Sequence, residues 1–121
     1  MDRSIKYALV ACILAGPAAG LSYECRYTTE CFETDACQET AFDLTLDVSG
    51  DFSSATLSTV SGDVETLAYN AQFLSYYTGY ADRAMHMVSV LNAGESRYSF
   101  QTGAGDSLLS VTYFGSCEAQ E

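Results

Sequence analysis

Residues 25–37 read CRYTTECFETDAC, with five residues between Cys25 and Cys31 and five between Cys31 and Cys37. A further cysteine, Cys117, lies close to the end of the chain. Between Cys37 and Cys117 the sequence reads as short strands joined by tight turns. This arrangement predicts a small exported β-domain whose chain ends are held by disulfides.

The first 20 residues have the three parts of a secretory signal peptide. They begin with the basic residues Arg3 and Lys6, continue with a short apolar run and end in small residues. The apolar run is shorter than the roughly 20 residues that a membrane-spanning helix needs. We therefore predict a signal peptide over residues 1–20, cleaved after Ala18 or Gly20, and one β-domain over residues 21–121. The mature protein is expected to be periplasmic or secreted, without a membrane span.

A lipoprotein is the alternative interpretation of this segment. Residues 9–12 read LVAC, which has the form of a bacterial lipoprotein box with Cys12 as the acylated residue. The apolar run before Cys12 would then cover only residues 7–11, which is very short for an export signal. A cysteine is otherwise an ordinary small hydrophobe in an apolar run, so the cleaved signal peptide is the favoured interpretation.

Four cysteines remain once Cys12 is removed, and an even count in a short exported chain predicts two disulfides. Three pairings are open on sequence grounds. We favour Cys25 with Cys117 and Cys31 with Cys37, because the first bond would join the opening and closing strands of a closed or nearly closed sheet. Zinc-binding cysteines usually lie two to four residues apart, so no metal or other cofactor is expected.

The mature chain is strongly acidic. It carries 15 acidic residues against Arg26, Arg83 and Arg97, a formal net charge of −12, and contains no lysine. The negative electrostatic field of such a chain repels phosphate backbones, which excludes nucleic acid as a partner. A cationic protein is the partner that this charge would attract, although an acidic surface without lysine is also ordinary for a solvated domain. Oligomeric state stays open.

Apolar residues alternate with polar ones along most of the chain. Phe42, Leu44, Leu46 and Val48 share one face of a predicted strand, and Tyr98 and Phe100 share one face of another. Period two indicates half-buried strands, and recurring Gly-containing turns indicate hairpins. We predict an all-β fold, a small antiparallel barrel or sandwich of about seven strands, with disulfides near the chain ends.

Three details of this interpretation concern less regular segments. Residues 28–36 alternate poorly, so a short helical turn is expected there. Residues 73–77 are predicted as a strand that ends before a loop containing Gly79 and Tyr80. Residues 85–91 are apolar on both faces, which predicts a central strand.

No catalytic residue stands out. His86 is the only histidine, and its apolar neighbours place it in a strand as a packed or half-exposed residue. No serine lies in a nucleophile-elbow motif. We therefore do not expect an enzyme.

Tyrosines supply the better candidate for binding. Tyr76, Tyr77 and Tyr80 gather in the segment with the weakest strand pattern, and tyrosine is favoured in recognition surfaces. The alternative is that these rings cap the open end of a small sheet with their hydroxyls in water.

Two resemblances extend this interpretation. The cysteine-bearing segments around Cys25, Cys31 and Cys37, together with TYFGSCE at residues 112–118, resemble small uncharacterised exported proteins of alphaproteobacteria. This resemblance implies export and the cysteine architecture, with no function to carry over.

The segment Tyr23-Glu24-Cys25 and the closing Cys117 also resemble the periplasmic inhibitors of C-type lysozyme, which are small β-barrels. Gly94 and Tyr98 lie near where the inhibitory loop of that family would fall, with Ala93 in place of its serine. The expected function is a non-catalytic binding or structural module. The alternative is an inhibitor of a cationic cell-wall hydrolase such as C-type lysozyme, acting through the Gly94–Tyr98 turn or the loop from Tyr76 to Tyr80.

Overall fold

The alternating pattern produces a sheet of antiparallel strands in the computed structural model, which describes residues 19–33 and 35–120. Most of the described chain is strand, and this part contains no helix. The eight strands are β1 (Ala19–Phe32), β2 (Gln38–Ser49), β3 (Ser54–Thr59), β4 (Gly62–Asn70), β5 (Leu74–Ala81), β6 (Ala84–Leu91), β7 (Glu95–Ala104) and β8 (Ser107–Gln120).

Each strand pairs with the next along the chain, and β8 pairs with β1 to close a barrel. The all-β antiparallel prediction is therefore confirmed, as a barrel of eight strands. Closure removes the free edges that a sandwich would leave exposed. Because all connections are hairpins, neighbouring strands are also neighbours in sequence.

The disulfides join Cys25 to Cys117 and Cys31 to Cys37, as the favoured pairing predicts. Cys25 and Cys117 are register partners in the β1–β8 ladder, so this bond ties the two strands that close the barrel. The other bond links the end of β1 to the residue before β2. Two disulfides belong to a non-reducing environment outside the cytoplasm.

The predicted helical turn within residues 28–36 is wrong, because β1 continues as a strand to Phe32. The register between β1 and β2 shifts between Tyr27 and Thr29. A bulge of this kind inserts an unpaired residue and interrupts the alternation of faces. The irregular pattern that suggested a helical turn is thus the mark of a bulge.

The predicted loop containing Gly79 and Tyr80 is also wrong, since both residues lie within β5. Glycine is needed there for close backbone approach, because a Cβ on Gly79 would lie 2.3 Å from the carbonyl oxygen of Glu65. Residues 85–91 do form a central strand, β6, which pairs with β5 and β7, but only its inward face is buried. Met85 and Met87 are exposed on the outside of β6.

The predicted signal peptide lies outside the described residues, apart from Ala19 and Gly20, which begin β1. Cys12, on which the lipoprotein alternative depends, also lies outside them. In the part of the chain that the structure describes, no helix is long and apolar enough to cross a membrane.

The barrel interior has two halves of different composition. Near the end where β1 begins and β8 ends, the inward side chains are mainly aliphatic, and Leu46 is completely buried. Toward the other end the inward residues are mainly aromatic, and Tyr27 lies between the two halves. Burying these side chains supplies most of the stability of a domain this small.

Candidate functional site: an aromatic mouth

One end of the barrel is open, and we call it the mouth. It lies where β1 ends and β2 begins, and it holds a cavity of about 380 Å³. Inward side chains form most of the wall of the mouth, and turn residues form its rim. The residues that line the cavity include Phe42, Asp63, Asp82, His86, Tyr98 and Tyr113.

Stacked rings form one wall of the mouth. The ring centroids of Phe42 and Tyr113 are 4.6 Å apart with planes 21° from parallel. Tyr98 stacks against Tyr113 at 5.6 Å and against Phe42 at 5.7 Å. These three come from β2, β7 and β8, and the alternation of each strand turns them inward. The result is a continuous aromatic surface.

A histidine–tyrosine pair adds a polar group to this wall. Nδ1 of His86 lies 2.8 Å from the hydroxyl oxygen of Tyr98, and the two rings stack with centroids 6.0 Å apart. Burial raises the pKa of Tyr98 to about 12, so this phenol is neutral at physiological pH and can donate its proton to Nδ1. The prediction of a packed or half-exposed His86 is confirmed, since it is half-buried.

Glu30 supplies a fixed charge at the same end. It is the register partner of Tyr113 in the β1–β8 ladder, and register partners share a face. Nε2 of Gln38 donates a hydrogen bond to the Glu30 carboxylate at 2.8 Å. The Tyr113 hydroxyl donates a second hydrogen bond to the same carboxylate. These bonds lower the pKa of Glu30, so the group is a carboxylate at neutral pH. Burial, and then Glu30, raise the pKa of Tyr113.

Two further carboxylates lie on the rim. Asp63 is near the start of β4, and Asp82 is in the tight turn between β5 and β6. Asp82 and Arg83 both adopt positive φ, 54° and 65°, as the turns favoured in two-residue hairpins require. The described residues that line the cavity include these two carboxylates but no lysine or arginine, and Arg83, next to Asp82 in the turn, is exposed to solvent.

The predicted binding residues are not brought together. Tyr98 is inward and lines the mouth, whereas Tyr77 is buried elsewhere in the core. Gly94, at φ 110°, sits in the β6–β7 turn at the opposite end of the barrel. Tyr76 and Tyr80 lie on the outer surface, and Tyr80 is 66% exposed.

These two tyrosines belong to a second surface, the tyrosine–methionine face, formed by the outward residues Tyr69, Tyr76, Tyr80, Met85 and Met87. Tyr69 is the register partner of Tyr76, and Tyr80 of Met85. All five residues are exposed. The outward residues of β5 and β6 carry no charge, although the chain as a whole is strongly acidic.

Sequence reasoning placed Phe42 and Tyr98 on inward faces but did not recognise a shared site. The missing information was the register between β2, β7 and β8, which brings them to one level of the barrel. Glu30 was missed for another reason. The bulge after Tyr27 changes which residues of β1 point inward, and no simple period shows it.

The fold and site define an eight-stranded up-and-down barrel, closed by a disulfide, with one open aromatic end. No family model, curated protein or solved structure matches the chain. Among residues 19–33 and 35–120, no three His, Cys, Asp or Glu side chains lie close enough together to hold a metal ion.

Proposed function

We propose that this protein is an exported, non-catalytic binding module that takes a small amphipathic ligand into the mouth of its barrel. The observation that carries the proposal is the stacked wall of Phe42, Tyr98 and Tyr113 around an open cavity of about 380 Å³. Eight strands enclose enough space for one small ligand. Export is supported by the two disulfides and by the predicted signal peptide, to either the periplasm or the exterior.

The mouth has the composition of a ligand site. Such sites typically have volumes of about 300 to 1,000 Å³ and combine an apolar lining with a few positioned polar groups. Here the apolar lining is aromatic, and the positioned polar groups are the His86–Tyr98 pair and the Glu30–Tyr113 pair. A ligand with an apolar body and one polar group would fit both features.

A binding role is favoured over catalysis by the way the polar groups are paired. A histidine that acts as a general base is usually oriented by a carboxylate, whereas His86 contacts the hydroxyl of Tyr98. The raised pKa of Tyr98 makes this phenol a poor proton donor in catalysis. These contacts hold side chains in place without activating a nucleophile.

The proposal is tested by blocking the mouth. Thr59 lines the cavity near the end of β3, and Thr59→Phe places a ring in the ligand space. Ser58→Phe places the same ring one residue earlier, on the opposite face of the strand, as a matched control. We expect 2-phenylethanol to shift backbone amide resonances around the mouth in the oxidised protein and in Ser58→Phe, but not in Thr59→Phe. Shifts confined to other regions, or unchanged in Thr59→Phe, would rule out the mouth as the site.

The tyrosine–methionine face favours a second function, inhibition of a cationic cell-wall hydrolase. Tyrosine and methionine are enriched, and acidic residues depleted, in protein interfaces. The net charge of −11, which becomes −12 when the predicted signal peptide is removed, would attract a cationic enzyme to this protein. Tyr76 and Tyr80 can make direct contact, whereas Tyr98 is only 4% exposed and would act only through the fold.

This second function has its own measurement. Inhibition of a C-type lysozyme at low salt should fall when Tyr76 and Tyr80 are both changed to serine, because the contact area is lost. Leu108→Ser, at an exposed position on β8, is the matched control and should leave inhibition unchanged. Absence of any complex with lysozyme at low salt would remove this alternative.

A further inference from the structure

We infer that the ligand of the mouth is an organic cation, such as a quaternary ammonium group or an alkylated amine attached to a short carbon skeleton. This inference rests on the proposed function and specifies its ligand class. It follows from two features that occur together at this end of the barrel, namely aromatic rings that line the cavity and carboxylates around it.

The aromatic wall supplies the first feature. Ring faces carry negative electrostatic potential and attract a cation placed within about 6 Å of the ring centroid. Phe42 is half-buried and Tyr98 is almost fully buried, and both line the cavity, with the centroids of their stacked rings 5.7 Å apart. A methylated ammonium is weakly hydrated and apolar in shape, so it loses little solvation when it contacts such a wall. Arranged aromatic rings are a recurrent way of binding quaternary ammonium groups.

The carboxylates supply the second feature. Glu30 is held by hydrogen bonds from Tyr113 and Gln38, and its side chain remains accessible because the residue is only half-buried. Its donors are neutral, so its negative charge is not cancelled by an ion pair with either of them. Asp63 and Asp82 add negative charge at the rim. Glu30 beside Tyr113, together with Asp63 and Asp82 at the rim, would repel an anionic ligand and attract a cation.

Other ligand classes fit these features less well. A purely apolar ligand would gain from the rings but would not use the fixed carboxylate. A phosphate or carboxylate ligand would need a basic partner, and neither lysine nor arginine lines the described cavity. The combination of charge and aromatic surface therefore selects a cation with an apolar body.

Three soluble molecules of nearly the same shape separate these classes. Choline is the cation, 3,3-dimethyl-1-butanol is its uncharged carbon analogue, and 3,3-dimethylbutanoate is the anion. Each is titrated into isotope-labelled, oxidised protein while amide resonances are followed. We expect choline to shift the resonances of mouth residues with an affinity at least about fivefold higher than the alcohol, the effect of a nearby unit charge in water, and the anion to show no saturation.

Glu30→Gln keeps an oxygen that can accept the Tyr113 hydrogen bond but removes the charge. We expect this variant to weaken choline binding about fivefold while leaving the alcohol unaffected. Glu118→Gln removes the same charge from an exposed position near the opposite end of the barrel and should leave both affinities unchanged.

The outcomes distinguish the two proposals. If the alcohol binds in the mouth as well as choline does, or Glu30→Gln changes nothing, the cation inference is overturned and the binding module stands. If the anion binds best, the inference is overturned as well. If none of the three molecules shifts the mouth resonances, the cation inference fails, and the binding module is then decided by the 2-phenylethanol titration of the parent protein and Thr59→Phe.

Discussion

The two disulfides lie in regions of opposite character. Cys25–Cys117 crosses the ladder that closes the barrel, and both of its cysteines are buried, at 2% and 5% exposure. Cys31–Cys37 lies at the mouth, where Cys37 is exposed, and it spans the connection between β1 and β2. The first belongs to the filled half of the interior, and the second to the wall that carries Glu30 and Gln38.

This difference indicates that the aliphatic half mainly provides stability and that the mouth mainly provides binding. The aliphatic half contains the completely buried Leu46, so changes at its buried side chains should mainly alter the free energy of unfolding. The mouth already contains open space, so changes there should alter ligand affinity more than stability. Substitutions in the two halves should therefore affect different quantities, the free energy of unfolding in one and the ligand affinity in the other.

The largest loss of stability is expected from Cys25→Ala combined with Cys117→Ala. This bond closes a loop of sequence separation 92, and the chain-entropy relation gives a contribution of about 4 to 5 kcal/mol for a loop of that size. The free energy of unfolding should fall by this amount in urea denaturation. If removal of Cys25–Cys117 lowered the free energy of unfolding by less than removal of Cys31–Cys37, Cys25–Cys117 would not be the main stabilising disulfide.

Substitutions of inward side chains should give the next largest loss in the free energy of unfolding. Leu46→Ala removes a fully buried side chain from the filled half and should lower the free energy of unfolding by about 2 to 5 kcal/mol. Phe42→Leu, in the mouth, should cost less stability than Leu46→Ala, because Phe42 is only half-buried, but it should weaken choline binding, because a π face is lost. The two halves would not be separable if Leu46→Ala weakened binding as strongly as Phe42→Leu.

Removing the outer disulfide should have a smaller effect on stability. Its cysteines are separated by only 6 in sequence, and the chain-entropy relation then gives about 2 to 2.5 kcal/mol. Cys31→Ser with Cys37→Ser should nevertheless weaken choline binding, since the hairpin that positions Glu30 becomes less constrained. Calorimetric titration checks the affinity. An unchanged affinity would show that Glu30 is positioned without the disulfide.

Alkaline pH gives the smallest expected effect. Burial raises the pKa of Tyr27 to about 12, above the ordinary value of about 10 for tyrosine, so folding favours the neutral phenol. The associated stability is fully present below pH 10 and is lost as the pH rises to about 12, by roughly 2 kcal/mol. Tyr27→Phe should flatten the dependence of unfolding free energy on pH across this window, compared with the parent protein. If the unfolding free energy of Tyr27→Phe and of the parent protein fell equally steeply with pH, Tyr27 would not be the group responsible.

Much of the barrel followed from short-range rules. Alternation in residues 42–48 predicted the inward face of β2, and the cysteine count with chain-end spacing predicted both disulfides. The errors fell where the backbone departs from regular pairing, at the bulge after Tyr27 and at the close approach of Gly79 to Glu65. Short sequence windows do not show such departures, because they depend on the neighbouring strand.

The candidate site was less accessible from sequence than the fold. Tyr98 was recognised through a family resemblance, yet its structural partners are His86, Phe42 and Tyr113 rather than the turn at Gly94. These partners come from four strands and meet only once the barrel has closed. Tyr76 and Tyr80, which the sequence suggested as binding residues, are exposed but lie on a different surface.

The most direct test of the binding account is an intermolecular nuclear Overhauser experiment on the oxidised protein with choline. The account predicts cross-peaks from the ligand methyl protons to the ring protons of Phe42 and Tyr98. Cross-peaks instead to Tyr76, Tyr80 or Met87 would place binding on the tyrosine–methionine face and contradict the assignment of the mouth as the functional site.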